Sequence, residues 1–359
     1  MTRVAFFAPM KPPDDPVPSG DREMARNLIT AIGANRAQVD LVSNLRLRDS
    51  KGDAVKQDAL REAAKAEVAR LIETLPANTD LWVTYHNYYK VPDLIGPAVC
   101  KARGLPYVQI EASRAKSRLT GRWAGFAKSA EEACDAADVV FYLTAHDRLA
   151  LERDRLAHQT LAHLPPFLPD EDLPKPSDCT GPMLTVGMMR DGDKLASYRV
   201  IADTLPHLTA PDWRLDIVGD GSARSEVEAM MAQFGKRVQF LGQLDRPALK
   251  HVYANAGAFL WPGVNEGFGM VYLEAQAAGV PVIAQDRPGV RDVILPGSYP
   301  APEDGPVALA AKIDTLLTDP ALRRKTGAAA RDMVQASHLR PAATDRFWAV
   351  VAPLLEDHA

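Results

Sequence analysis

Short apolar runs alternate with longer helix-patterned stretches along almost the whole chain, and this alternation narrows the available folds more than any other feature. Val4–Ala8, Val39–Ser43, Leu81–Tyr85, Tyr107–Ile110 and Val139–Thr144 have strand length, and helical patterns at about 54–74, 92–103 and 121–137 separate them. Strand–helix alternation implies a parallel sheet with helices on both faces, and near-continuous apolar runs are typical of its buried strands. The alternation stops between Pro165 and Pro182, where six prolines fall in eighteen residues. That composition reads as a semi-stiff linker. The pattern resumes with Met183–Met188, Leu215–Gly219, Val238–Leu241, Ala258–Trp261 and Val282–Gln285. Two doubly wound α/β domains are expected: residues 1–166, a linker over 167–181, and residues 182–342, followed by a terminal helix over 343–359.

At 359 residues the chain has room for two such domains. Its net charge of −4 gives no overall attraction to nucleic acid, and no nucleic-acid partner is expected. Cys100, Cys134 and Cys179 lack C-x-x-C spacing, so neither a disulfide framework nor a zinc site is indicated. The apolar run in MTRVAFFAPM is too short for a signal peptide or a spanning helix. A cytoplasmic location is expected. No G-x-G-x-x-G follows the first strand, which removes the main support for a dinucleotide-dependent dehydrogenase.

The most informative stretch for chemistry is Trp261–Ile294, in which a buried strand runs into a turn and then a helix near Met270. The turn carries Glu266, Gly267, Phe268 and Gly269, and Glu274 follows inside the helix. The glycines let backbone approach a ligand, and the helix N-terminus suits a phosphate. Glu266 before the helix and Glu274 within it place one carboxylate on each side of such a phosphate, as acceptors for sugar hydroxyls. Upstream, Arg190 and Lys194 follow the first strand of the second domain, four positions apart, a pair of cations suited to a polyanion.

The Glu266-to-Glu274 spacing, with Gly267-Phe268-Gly269 and the Ala-Gly-Val-Pro-Val-Ile exit, resembles the E-x7-E motif of retaining GT-B glycosyltransferases of family 4. The resemblance implies a GT-B fold, two Rossmann-like domains facing each other across a cleft, with a terminal helix crossing back to the first. It implies hexose transfer from a nucleoside-diphosphate sugar, a UDP-sugar foremost, to an acceptor hydroxyl, without a cofactor. In that frame Glu266 holds sugar hydroxyls, Glu274 the ribose, and Arg190 with Lys194 the diphosphate. Gly219 and Asp220 match the family's V-G-D-G segment along the nucleotide, and Gly20 is what remains of its first Gly-rich loop. The family's G-R-x-x-x-x-K element is altered here, with Met188 after Gly187 and the arginine displaced to Arg190.

Asp191-Gly192-Asp193 also spells D-x-D, a metal-binding pattern of the other glycosyltransferase fold. A metal-independent site is the expectation, with Arg190 and Lys194 in the cation's role. In the first domain His86 ends a strand, and the residues leave open whether it polarises a hydroxyl or is an ordinary hydrogen-bonding residue. Glu111, where many family members carry a histidine, and Asn87 are acceptor-side candidates. Arg114–Lys128 holds five basic residues and no acid, and Leu119, Trp123 and Phe126 at helical spacing beside them suit peripheral contact with an anionic membrane. Two other functions fit the same fold: a nucleotide-sugar epimerase, and a nucleotide-sugar-binding protein without turnover.

Overall fold

The computed structural model describes residues 1–16 and 19–358. Positions 17 and 18 of the Pro-rich loop, and position 359 of the expected terminal helix, lie outside the described residues. The chain divides into two units, Met1–Pro165 with Arg340–Ala359, and Pro166–Leu339.

The first unit alternates β1 (Thr2–Phe7), α1 (Gly20–Gly33), β2 (Ala37–Ser43), α2 (Ala54–Thr74), β3 (Leu81–Asn87), α3 (Gly96–Arg103), β4 (Tyr107–Ala112), α4 (Ala124–Ala136), β5 (Val139–Tyr142), α5 (Ala145–Arg153) and β6 (Thr160–His163). Its six strands lie in the order β2-β1-β3-β4-β5-β6, and each adjacent pair is parallel. Central β3 is buried at every position; Leu81, Trp82, Val83 and Tyr85 give it its apolar signal, and Thr84, His86 and Asn87 are buried polar positions. Edge strand β6 has only half-buried and exposed residues and carries no apolar run.

The second unit contains β7 (Met183–Val186), α6 (Asp193–Thr204), β8 (Leu215–Val218), α7 (Arg224–Met231), β9 (Val238–Gly242), α8 (Arg246–Ala254), β10 (Ala258–Leu260), α9 (Met270–Ala277), β11 (Val282–Ile283), α10 (Gly305–Thr318) and α11 (Pro320–Ser337). Its sheet is β11-β10-β7-β8-β9, again parallel throughout. The last helix, α12 (Arg340–Asp357), packs on α1. Trp348 Nε1 donates to the Ile32 carbonyl at 3.0 Å, and Thr344 Oγ1 to that of Ala31 at 2.9 Å.

The stretch expected as a linker, 167–181, is instead packed onto the second unit. Phe167 and Leu168 are buried, Leu168 pairs with Leu339, and Ser177 Oγ donates to the Ala256 carbonyl at 2.7 Å. The reason is apolar content: burying two such side chains gains about 1.5–3 kcal/mol each, which outweighs the coil reading of the prolines. An ion pair over this strap, Lys250 Nζ to Asp170 Oδ1 at 2.7 Å, is half-exposed. Asp170→Ala is therefore expected to cost under about 1 kcal/mol. A urea-unfolding loss above about 2 kcal/mol would show that the pair, not the packing, holds the strap.

The basic stretch after β4 is not one amphipathic helix. Two 3-10 turns, Lys116–Arg118 and Gly121–Trp123, precede α4, because Gly121 takes a φ of +77°. Arg114 is buried and paired with Glu131 and Asp135, and Lys116 is paired with Asp154. Phe126 faces the core. No helix among the described residues is long and apolar enough to cross a membrane.

Candidate functional site

Ligands of doubly wound sheets bind at the carboxyl ends of the strands, where the strand order reverses. In the second unit the reversal falls between β7 and β10. The loop after β7 carries Arg190, its helix α6 carries Lys194, and the loop after β10 carries Glu266.

Glu266 is fixed from two directions. Its Oε1 accepts from Trp261 Nε1 at 2.9 Å and from Lys194 Nζ. The carboxylate and the ammonium keep only 12% and 18% of their side-chain exposure, and Lys194 Nζ lies 5.3 Å from the centroid of the Trp261 ring. The two loops are laced together below this pair. Asn265 Nδ2 donates to Asp193 Oδ1 at 2.8 Å, and the Val264 amide to Ser197 Oγ at 3.1 Å. Trp261 itself is fully buried and stands edge-on to Tyr198, so the indole that orients Glu266 cannot drift. Arg190 is exposed and has no side-chain partner among the described residues.

Gly269 caps α9 at φ +66°, a backbone region costly to residues with a Cβ. A Cβ there would meet Tyr272 at 2.7 Å, whereas a Cβ on Gly267 would meet nothing within 4 Å. Phe268 packs against the core. Glu274 turns to another neighbour. Its Oε2 accepts from the Tyr253 hydroxyl at 3.0 Å, and it lines a pocket with Leu168, Arg246, Leu249 and Lys250. Burial and the adjacent Glu274 push the Tyr253 phenol well above its ordinary range.

Gly219 and Asp220 have structural duties. A Cβ on Gly219 would lie 1.9 Å from the Gly187 carbonyl, so the two loops abut backbone to backbone. Asp220 accepts from the Gly221 amide and from Arg224, as a turn residue ahead of α7. Asp193 of the D-x-D is held by Asn265, and no group of three or more His, Cys, Asp or Glu side chains among the described residues is arranged to hold a metal ion.

In the first unit the order reverses between β1 and β3. There α1 starts at Gly20, capped by Ser19, and Asp21 lies in its first turn. The β3/β4 ladder pairs Tyr85 with Ile110 and Asn87 with Ala112, and skips His86 and Glu111. Both skipped residues are left-handed, at φ +75° and +59°, which costs an L-residue about 1–2 kcal/mol each. His86 keeps 8% of its side-chain exposure, with Nε2 3.5 Å from Asp21 Oδ1 and Nδ1 3.7 Å from Glu111 Oε2. His86 Nε2 and Glu111 Oε2 are both buried without a hydrogen bond. Burial opposes charge on His86, but Glu111, Asp21 and Asp147 outweigh it and raise the imidazole. Asp21, also resisted by burial, is lowered by His86 and Arg48.

Asn87, expected on the acceptor side, is corrected by the packing. Its Nδ2 donates to Gln109 and to the Ala130 carbonyl, and its Oδ1 accepts from the Asp93 amide. A fully buried amide committed in this way has nothing left for a ligand.

Residues 196–333 match the family described as glycosyl transferases group 1. A GDP-mannose-dependent monoacylated alpha-(1-6)-phosphatidylinositol monomannoside mannosyltransferase of Corynebacterium glutamicum is 37% identical over 134 residues, 35% of each chain. The chain thus matches about a third of the length of such curated relatives. Sucrose-phosphate synthase from Thermosynechococcus elongatus superposes with a TM-score of 0.73 at 20% identity, over 99% of this chain and 100% of that one. Anabaena Alr3699/HepE in complex with UDP does so at 0.69 and 15%, over 98% and 100%. The fold is GT-B.

Local spacing sufficed to single out Glu266, Lys194 and Glu274. Trp261, Tyr253 and Asp21 were not singled out. Trp261 read as the end of an apolar strand, and its indole N–H becomes meaningful only when the turn folds back over it. Asp21 read as an ordinary first-turn acid.

Proposed function

We propose that the chain is a retaining, metal-independent glycosyltransferase that moves a hexose from a nucleoside-diphosphate sugar to an acceptor hydroxyl. The observation that carries this reading is Glu266, held by Lys194 and the Trp261 indole where the second sheet reverses. Its free lone pairs accept from sugar hydroxyls, and Lys194, with donors to spare, faces the diphosphate together with unpartnered Arg190. Backbone N–H groups over Gly267–Gly269 complete the phosphate contacts, and Glu274 takes the ribose in its pocket beside Tyr253. Cationic stabilisation of the departing diphosphate is the largest requirement of this bond cleavage. His86 and Glu111 of the first unit serve the acceptor hydroxyl. A UDP-sugar is the first donor to test, and GDP-mannose, named in the Corynebacterium relative, is the second.

The test is a thermal-shift panel of nucleoside diphosphates and their sugars, with and without a chelator. A donor at a hundred times its Kd adds about 2.7 kcal/mol of stability. One nucleotide-sugar is expected to stand out and to be indifferent to chelator, with release of its nucleoside diphosphate once an acceptor is added. No stabilisation by any donor would overturn the reading, and stabilisation lost to chelator would overturn its metal-free form.

A further inference from the structure

The segment between β2 and α2 is extended and alternates strictly. Leu47 and Asp49 are fully buried, while Arg46, Arg48 and Ser50 point outward. Such two-residue periodicity puts successive outward side chains on one face. The inward residues lock the segment. The Leu47 amide donates to the Pro9 carbonyl and the Asp49 amide to that of Lys90, each at 2.9 Å. Asp49 is consumed by the amides of Lys51 and Asp53 and by Gln57 Nε2, at 2.8–2.9 Å. Its hydrogen bonds therefore cap the loop and the start of α2, and of the outward cations Lys56 alone adds to the stabilisation of its charge.

Those outward residues converge. Arg46, Arg48, Ser50 and Lys56, the last from the first turn of α2, line one pocket. Arg46 has a 3.5 Å contact with Asp15 and donates through Nε to the Met10 carbonyl at 3.4 Å, and that aspartate also faces Lys11. Arg48 and Lys56 have no hydrogen bond or ion pair to any described residue through their side chains. Three cations and a hydroxyl on a rigid frame, with no acid among the lining residues, match a doubly charged anion with several free oxygens. A carboxylate occupies a single guanidinium fork, whereas a phosphate ester engages several donors at once. The pocket also adjoins the reversal point of the first sheet, because the Arg48 charge acts on Asp21 and on Tyr88.

We propose that Arg46, Arg48, Ser50 and Lys56 form a phosphate-binding subsite, and that the acceptor carries a phosphate group there while its hydroxyl lies at His86. The acceptor part rests on the glycosyltransferase reading above; phosphate binding itself does not.

The experiment uses the full chain saturated with the nucleotide that the thermal panel selects, so that the donor site cannot take the probe. Glycerol 3-phosphate and glycerol are titrated calorimetrically into the parent and into the Arg48→Ala/Lys56→Ala variant. The parent is expected to bind the ester and not glycerol, and the variant to bind it at least ten-fold more weakly with unchanged nucleotide affinity and melting temperature. Equal binding by parent and variant, or none by the parent, would overturn the subsite. Failure of nucleotide binding would sink the donor-site reading and leave this one standing. Phosphatidylglycerol vesicles distinguish the source of the phosphate. Capture that glycerol 3-phosphate competes away assigns a lipid headgroup, and absence of capture assigns a free ester. Capture that it does not compete away, and that the variant retains, marks a diffuse surface attraction and overturns the proposal.

Discussion

Glu266→Gln is expected to lower kcat for glycosyl transfer by about a hundred- to a thousand-fold. A hydrogen bond to a charged acceptor is worth about 1.5–3 kcal/mol, and two sugar hydroxyls on one carboxylate make about 3–4 kcal/mol, at about 1.4 kcal/mol per ten-fold. The amide retains an oxygen for Trp261 Nε1, currently 2.9 Å from the carboxylate, so the turn keeps its shape and the protein stays folded, with a melting temperature lowered only by the loss of the Lys194 counter-charge. Nucleoside diphosphate affinity is also expected to hold, since Lys194 and Arg190 remain and Lys194 is released from its partner. That split distinguishes the proposed role from a scaffolding one. A carboxylate needed only to anchor Lys194 against the turn would, when replaced, lower the melting temperature and leave kcat nearly intact. Steady-state kinetics with the selected donor, beside a thermal melt, reads both quantities. Parent-like kcat would remove Glu266 from the centre of the mechanism.

The parts of this architecture that local sequence determines were legible. A strand buried on both faces is apolar over most of its length, so β1, β3 and β7 announce themselves, and strand–helix alternation then leaves a parallel sheet as the economical arrangement. Glu266 and Glu274 are separated by one turn and half a helix, so their spacing survives folding. What depends on sheet order was not legible. Trp261 and Lys194 are far apart in sequence and meet at Glu266 only because β10 lies beside β7. Asp21 meets His86 only because β3, not β2, follows β1 on that side. The strap at 167–181 misled because prolines suggest a solvated coil, whereas Phe167 and Leu168 decide the matter by burial. The stretch at 114–123 is legible only in part: Arg114 and Lys116 have carboxylate partners in Glu131, Asp135 and Asp154, which no local spacing shows. Arg46, Arg48 and Ser50 escaped notice because the inward-pointing residue between the last two is an aspartate, which hides a two-residue alternation that an apolar residue would have displayed.

Glu111→Gln is expected to destabilise the protein by at most about 3 kcal/mol near pH 6, because burial holds the Glu111 carboxyl above its ordinary value even against His86 and so offsets part of the loss typical of removing one partner from a buried charge pair. The glutamine keeps the volume and the left-handed backbone of Glu111, so the change isolates the charge. In the parent, the folded-state pKa of His86 is raised by Glu111, Asp21 and Asp147 against the opposing effect of burial. A raised histidine contributes stability that is fully present below its ordinary value of about 6.5 and is lost as pH rises through the folded value, with a slope of at most about 1.4 kcal/mol per pH unit. In the variant, burial meets a weaker counter-charge, because the remaining neighbour Asp21 is about a third exposed and 3.5 Å away. The imidazole then falls back towards the neutral form, and its contribution fades at lower pH than in the parent. The gap between the two proteins is therefore expected to be widest near the ordinary histidine value of about 6.5 and to shrink as pH rises through the raised value of folded His86, above which the imidazole no longer needs a counter-charge. Urea unfolding at a series of pH values measures that gap directly. A gap that is constant with pH would mean that Glu111 acts through the Tyr85 hydroxyl it also engages, rather than through the charge on His86.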